Sequence, residues 1–223
     1  MLHNLDLIRQ LRGANLSERL ELWCSDEDER VAAKATEQFS RGRRLCAIIP
    51  AAGEGRKIWP GENFRSVASL LCRDHNYDIL VVGGPDAAAF GAELEAEIPG
   101  HVLNTAGRMT VRQSAALLKL CALAVTNDSG PMHLAAAAGS QIIVIVCHPL
   151  TGSTAHASSP VRFGPWQAIH RVLQPLTATP PCETSCRQTF SHCIRGVSPE
   201  QVLEVAKELL PRETELLEFR MRR

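Results

Sequence analysis

Short apolar runs recur along this chain, each bounded by glycine, proline or charge. Leu45-Cys46-Ala47-Ile48-Ile49, Asp78-Ile79-Leu80-Val81-Val82, Ala122-Leu123-Ala124-Val125-Thr126 and the run Ile142 to Val146 are continuous rather than alternating. Continuous runs of this length predict strands buried on both faces. His101-Val102-Leu103-Asn104 and Ile169 to Leu173 predict two shorter strands. The intervening stretches read as helices: Asn63 to His75, Asp86 to Ile98, Thr110 to about Leu120, and Pro131 to Ala138 stopped by Gly139. Thr110 with Gln113 three residues on has the form of a capping box. Strands and helices alternate at close spacing, so the fold class is α/β: a parallel sheet wrapped on both faces by helices through right-handed crossovers.

The flanks differ from this centre. Leu5, Ile8 and Leu11 recur at three-residue spacing. Ser25-Asp26-Glu27-Asp28-Glu29-Arg30 opens a helix running to about Phe39, with acids in the first turn where the helix dipole favours them. Pro149 to Pro165 is rich in Ser, Thr, Pro and Gly and reads as an irregular loop. Ser198-Pro199-Glu200-Gln201 is a strong helix start, and that helix should run to about Leu210.

Composition narrows the function classes. The chain has 223 residues, 45% apolar and 22% charged, which excludes disorder, collagen and coiled coil as whole-chain descriptions. Lys plus Arg equals Asp plus Glu at 24 each, and aromatics are 4%. A zero balance and so few rings argue against bulk nucleic-acid binding or a base-stacking platform. No apolar run reaches the roughly 18 residues of a membrane span. The start, Met1 to Asp6, lacks the basic region of a signal peptide. A cytoplasmic protein is therefore expected. Of eight cysteines, Cys24, Cys46, Cys72, Cys121 and Cys147 are scattered in apolar segments, where such residues are usually small core side chains.

Ligands of open parallel sheets bind outside the carboxyl ends of the strands. Two loops predicted there are unusual. Ala51-Ala52-Gly53-Glu54-Gly55-Arg56-Lys57-Ile58-Trp59-Pro60 brings glycines and two cations, Arg56 and Lys57. Asn127-Asp128-Ser129-Gly130-Pro131-Met132-His133 opens a helix whose free N–H groups and dipole suit an anion, with His133 in the first turn. Taken singly, the first loop is more often only a tight turn and the second equally a plain cap. Facing one crevice, they suit a diphosphate.

Residues 127–137 resemble the Asp-(Ser/Thr)-Gly-x-x-His-x-x-Ala signature of glycosyltransferase family 9, the ADP-heptose:lipopolysaccharide heptosyltransferases. Lys57-Ile58-Trp59-Pro60 with Phe64, Val82-Gly83-Gly84-Pro85-Asp86 and Gly107-Arg108-Met109-Thr110 match further segments in order, as do Pro181-Cys182 and Cys193-Ile194 before Ser198 to Val202. The resemblance spans about residues 45–210 and is to the C-terminal half of a two-domain GT-B fold. It implies a Rossmann-like parallel sheet, with residues 1–44 as a helical linker or remnant of the other half, 45–211 as a donor-binding domain and 212–223 as a basic tail.

The resemblance further implies inverting transfer of a sugar, with ADP-heptose the expected donor and no cofactor. Lys57, Asp128, Ser129, Gly130 and His133 are the expected donor-phosphate residues, and Gly83, Gly84 and Met109 the expected nucleotide contacts. The family's general base lies in the other half and has no counterpart here, so the chain is expected to bind donor without efficient transfer. A non-catalytic nucleotide-sugar binding module is the alternative. A nicotinamide oxidoreductase is disfavoured because Gly53-x-Gly55 lacks a third glycine at Ile58. Expected partners are a nucleotide sugar and a separate acceptor half or a second copy of the chain; the apolar, basic tail Leu216 to Arg223 suits an anionic membrane surface, with a solvated, frayed terminus the favoured reading. At Cys182-x3-Cys186-x6-Cys193, with His192 adjacent, three thiols and no settled fourth ligand favour packing or a loop staple over a metal.

Overall fold

The computed structural model describes residues 20–40 and 42–209. The Leu5, Ile8, Leu11 spacing and the basic tail 212–223 lie outside the described residues.

Six strands form one parallel sheet: β1 (Arg44–Ile49), β2 (Tyr77–Val81), β3 (Val102–Asn104), β4 (Cys121–Asn127), β5 (Gln141–Ile145) and β6 (His170–Leu173), in the order β3-β2-β1-β4-β5-β6. The helices are α1 (Asp26–Thr36), α2 (Gly61–Asp74), α3 (Ala88–Glu97), α4 (Val111–Leu120), α5 (Gly130–Ala138), α6 (Pro160–Phe163) and α7 (Pro199–Leu209). Successive strand side chains point to opposite faces. Cys46, Ile48, Ile79, Val81, Leu123, Val125, Ile143 and Ile145 therefore share one face with Phe64, Val67 and Leu71 of α2 and Val202 and Ala206 of α7. Ala47, Ile49, Leu80, Ala124, Ile142 and Val144 share the other with Leu117 and Leu118 of α4 and Met132 and Ala135 of α5. Two covered faces explain why the strand runs are apolar without alternation.

Local chemistry sets the helix ends. Thr110 and Gln113 cap α4 reciprocally, the Gln113 N–H donating to the Thr110 hydroxyl (3.2 Å) and the Thr110 N–H to the Gln113 side chain (3.0 Å). Ser198 and Gln201 do the same at the start of α7. Ser25 and Asp28 cap α1, which docks on α4 through buried Ala32 and a Glu29–Lys119 ion pair at 3.0 Å. Two local differences from the sequence reading appear. A single 3-10 turn, Pro85–Ala87, precedes α3 and delays its start to Ala88. The stretch read as wholly irregular after β5 contains α6, where Pro160 follows Ser159 with its φ preset for a helical turn.

The amino end of β2 is locked by charge. Asp78, 1% exposed, accepts from Arg43 Nε (2.7 Å) and sits 2.8 Å from His101 Nδ1. Arg43 also donates to the Asn76 side chain (3.0 Å) and to the Cys72 and Tyr77 carbonyls. No described residue belongs to a helix long and apolar enough to cross a membrane.

Candidate functional site

The strand order reverses between β1 and β4: chain from β1 goes to β2 on one side, while β5 follows β4 on the other. The loops leaving these two central strands part at that point and open a crevice, as in other doubly wound sheets. The loop after β1 and the loop after β4 are the two that the sequence reading singled out.

One buried side chain ties them together. Asn127, the last residue of β4, accepts from the Trp59 N–H through Oδ1 (3.0 Å) and donates through Nδ2 to the Pro50 carbonyl (2.7 Å). It thus grips both ends of the basic loop. Trp59 is fully buried, stacks edge-on against Phe64 at 4.9 Å, and donates its indole N–H to the Val197 carbonyl (2.9 Å). Between these anchors a 3-10 turn, Gly55–Lys57, carries the basic side chains. Gly55 is required there by close approach: a Cβ at this position would lie 2.3 Å from the Thr189 carbonyl oxygen.

The two cations of this turn part company. Lys57 reaches the β4 loop and bonds Asp128 Oδ2 at 2.8 Å. Burial alone would depress its pKa; the hydrogen bond and charge of Asp128, with Glu54 behind them, more than offset this. Lys57 is therefore held above its ordinary value and stays charged. Arg56 turns away, pairing with Glu54 at 2.6 Å and donating to the Cys186 carbonyl at 3.1 Å. The crevice thus gains one of the two expected cations, because the neighbouring cysteine loop offers Arg56 a carbonyl.

Helix α5 starts at the crevice floor. Ser129 is its extended cap, and Pro131 occupies the first turn, where a missing N–H costs nothing. The Ser129 side chain makes no cap bond, and its hydroxyl is buried without a hydrogen-bond partner. Gly139, at φ +87°, ends the helix in the left-handed region, its N–H reaching the Ala135 and Ala136 carbonyls.

Lys57, Asp128, Ser129, Gly130 and His133 line one cleft of about 390 Å³, together with Gly53, Glu54, Ala157 and Phe163. An adjoining cavity of about 620 Å³ is lined by Gly83, Gly84 and Met109, with Val111, Pro131 and Leu134. Gly130 and His133 border both spaces. All eight residues expected as donor-phosphate or nucleotide contacts therefore border one of these two spaces, whereas Arg56 borders neither. Sequence reasoning missed five contributors. Asn127 was quoted within a motif without a role. Ala157 and Phe163 come from the loop after β5, whose composition carried no chemical signal. Glu21 and Leu22, beside the second cavity, precede the region of resemblance.

A family description, "Glycosyltransferase family 9 (heptosyltransferase)", matches residues 2–189. The lipooligosaccharide heptosyltransferase 2 of Campylobacter jejuni subsp. jejuni serotype O:2 is 31% identical over 182 residues, covering 76% of this chain and 52% of that protein. A glycosyl transferase family 9 structure from Veillonella parvula superposes with a TM-score of 0.74 at 22% identity, covering 92% of this chain and 58% of the other. An E. coli heptosyltransferase, WaaC, solved with ADP, superposes at 0.62 and 17% identity, covering 92% and 55%. These structural likenesses mark the fold as a Rossmann-like, parallel-sheet domain of the GT-B type. The chain spans about half the length of the curated relatives it matches.

Proposed function

The chain belongs to glycosyltransferase family 9, and from that premise we propose that its crevice binds the diphosphate of a nucleotide-activated sugar, ADP-heptose first, as the donor half of an inverting glycosyl transfer to a lipopolysaccharide core or similar acceptor. The observation that carries this reading is the convergence of Lys57, the start of α5 and the unpartnered Ser129 hydroxyl on one cleft. A cation, a helix N-terminus and a buried hydroxyl lacking a partner form a donor-rich seat for phosphate oxygens. The adjoining space, bordered by Gly83, Gly84, Met109, Pro131 and Leu134, offers apolar walls for a nucleoside. Its continuity through Gly130 and His133 supports one ligand occupying both. The names of the relatives, and the ADP bound to one of them, support heptose and adenine as the sugar and base.

In inverting transfer, an acceptor oxygen attacks the anomeric carbon from one side. The bond from that carbon to the phosphate oxygen breaks on the other, and the nucleoside diphosphate leaves with the electron pair. Lys57 and the α5 N–H groups meet the negative charge that develops on the leaving oxygens. The proton of the acceptor hydroxyl must go to a base. Asp128 is ill suited, because its carboxylate is engaged by Lys57 at 2.8 Å and borders the same space as the phosphate seat. The base and acceptor site belong, in this reading, to the counterpart half of the GT-B fold, with this chain as the C-terminal half. Such a protein would work in the cytoplasm against the inner membrane surface.

Isothermal titration with ADP-heptose, ADP and a UDP control tests the reading. Saturable heat with the adenine nucleotides and little with UDP is the expected result; no heat with any nucleotide would remove the proposal. Sugar transfer only when an acceptor-binding half is added would separate a donor half from a binding module without catalysis.

A further inference from the structure

The segment between β6 and α7 gathers three cysteines and one histidine, enough ligands to close a small coordination sphere. Cys182, Cys186, His192 and Cys193 come together so that their three Sγ atoms and one His192 ring nitrogen all lie within 4.8 Å of one another. His192 Nδ1 is 3.4 Å from Cys193 Sγ and 3.8 Å from Cys182 Sγ. Among the described residues it is the only group of three or more such ligands so placed. All three thiols are buried and none is in a disulfide.

From this geometry we infer that Cys182, Cys186, Cys193 and His192 Nδ1 form a closed, four-ligand zinc site. A tetrahedral zinc with Zn–S of about 2.3 Å and Zn–N of about 2.0 Å has ligand-to-ligand edges of about 3.5–3.8 Å. The two sulfur–nitrogen separations above, 3.4 and 3.8 Å, bracket the sulfur–nitrogen edge of about 3.5 Å. Three cysteines and one histidine are a common structural donor set, and four protein ligands leave no position open for catalysis. His192 supplies the fourth ligand that cysteine spacing alone left unsettled. The Arg187 N–H donates to Cys182 Sγ at 3.4 Å, the kind of hydrogen bond that steadies a thiolate ligand. On binding, each thiol releases one proton to solvent, the imidazole gives its Nδ1 lone pair and keeps its Nε2 proton, and no electron is transferred.

The segment has a reason to need such a staple. From Gln174 to His192 no helix or strand is formed, and the sequence is rich in Thr, Pro and Ser. Few apolar side chains are available to hold it. Yet it forms the wall behind the basic turn: the Thr189 carbonyl fills the space a Cβ of Gly55 would take, and the Cys186 carbonyl accepts from Arg56. The metal thus acts as a positioning device for the turn bearing Lys57, at a distance from the reacting atoms.

Metal analysis of the full chain, purified without chelator, tests this. One zinc per chain is expected. Exchange for Co²⁺ should give the intense thiolate charge-transfer and tetrahedral d–d absorption of a three-sulfur site. His192→Ala should weaken metal binding by more than the roughly tenfold that an outer hydrogen-bond partner contributes, and His192→Cys should restore it. Zinc below about a tenth of an equivalent, together with no cobalt–thiolate absorption on titration, would overturn the assignment; so would a disulfide among the three cysteines, or iron in place of zinc. The cobalt spectrum of the unaltered chain stands even where a variant fails to fold. Zinc binding without nucleotide binding would keep this site and remove the donor reading, so the two can fail separately.

Discussion

The two ends of the sheet solve opposite problems. At the amino end of β2, Asp78 is buried and every neighbour answers it: Arg43, His101, and behind Arg43 the Asn76 side chain and two backbone carbonyls. At the carboxyl ends of β1 and β4, Lys57 and Asp128 also pair, but beside them the Ser129 hydroxyl is buried with no partner. The polar groups around Asp78 are spent on one another, although the neighbouring Tyr77 hydroxyl is also buried without a partner. The second keeps capacity in reserve. Buried charge by itself therefore does not mark a candidate site; what sets the second cluster apart is that its pair and its unpartnered hydroxyl belong to residues lining a cleft.

That contrast can be broken experimentally, beginning where the largest effect is expected. Asp78→Ala leaves Arg43 without its carboxylate and should cost about 3 kcal/mol of stability, as removal of one partner of a buried pair does. Urea unfolding would measure it, and ADP affinity of the folded fraction should be unchanged. A large loss of affinity with unchanged stability would mean the two ends are not separate in role. Lys57→Ala should do the reverse. Losing one charge-assisted contact to phosphate is worth about 2 kcal/mol, or roughly thirtyfold in ADP affinity by titration calorimetry. Its effect on melting should be small, since the Asp128 carboxylate it leaves behind can be hydrated from the cleft. Ser129→Ala sharpens the point further. Removing an unpartnered buried hydroxyl should leave the free protein as stable or slightly more so. It should weaken ADP by about 1 kcal/mol, close to fivefold.

The smallest effect concerns pH. His148 follows β5, and its ring stacks on His156 at 5.0 Å. Burial lowers its pKa below the ordinary 6.5, the Ser153 carbonyl partly opposes this, and His156 adds to the lowering. The unfolded chain therefore takes up this proton at higher pH than the folded one. Stability from this group is complete above pH 6.5 and is lost as pH falls toward and through the lowered folded value. Melting temperature followed over pH 7.5 to 5 should drop less in His148→Gln than in the parent. An equal drop in both would assign the acid sensitivity elsewhere.

Much of this architecture was legible before the structure. The strand positions followed from apolar runs such as Leu45 to Ile49, because a strand sandwiched between helix layers cannot alternate. The helix starts at Thr110 and Ser198 followed from reciprocal capping residues, whose chemistry is local. The crevice residues were also legible, since Lys57 and the Asp128-Ser129-Gly130 segment sit where a βα unit must expose them. Less visible was anything that depends on distant chain. Arg56 and Lys57 are adjacent and chemically alike, yet one points into the cleft and the other bonds a carbonyl 130 residues further on. Asn127 reads as one more polar residue in a motif until the Trp59 N–H and the Pro50 carbonyl are seen on either side of it. His192 was only a neighbour of three spaced cysteines in the sequence, and nothing there fixed it as the fourth ligand.

Sequence alone thus determined the elements of this protein and the edge of the sheet at which its candidate site residues gather, because periodicity, caps and βα connections act over a few residues at a time. Which cation faces the cleft, which hydroxyl is left without a partner, and which imidazole joins the three thiols were decided only by tertiary structure. Those outcomes depend on atoms a few ångströms apart in space but tens of residues apart along the chain, and no local pattern records such distances.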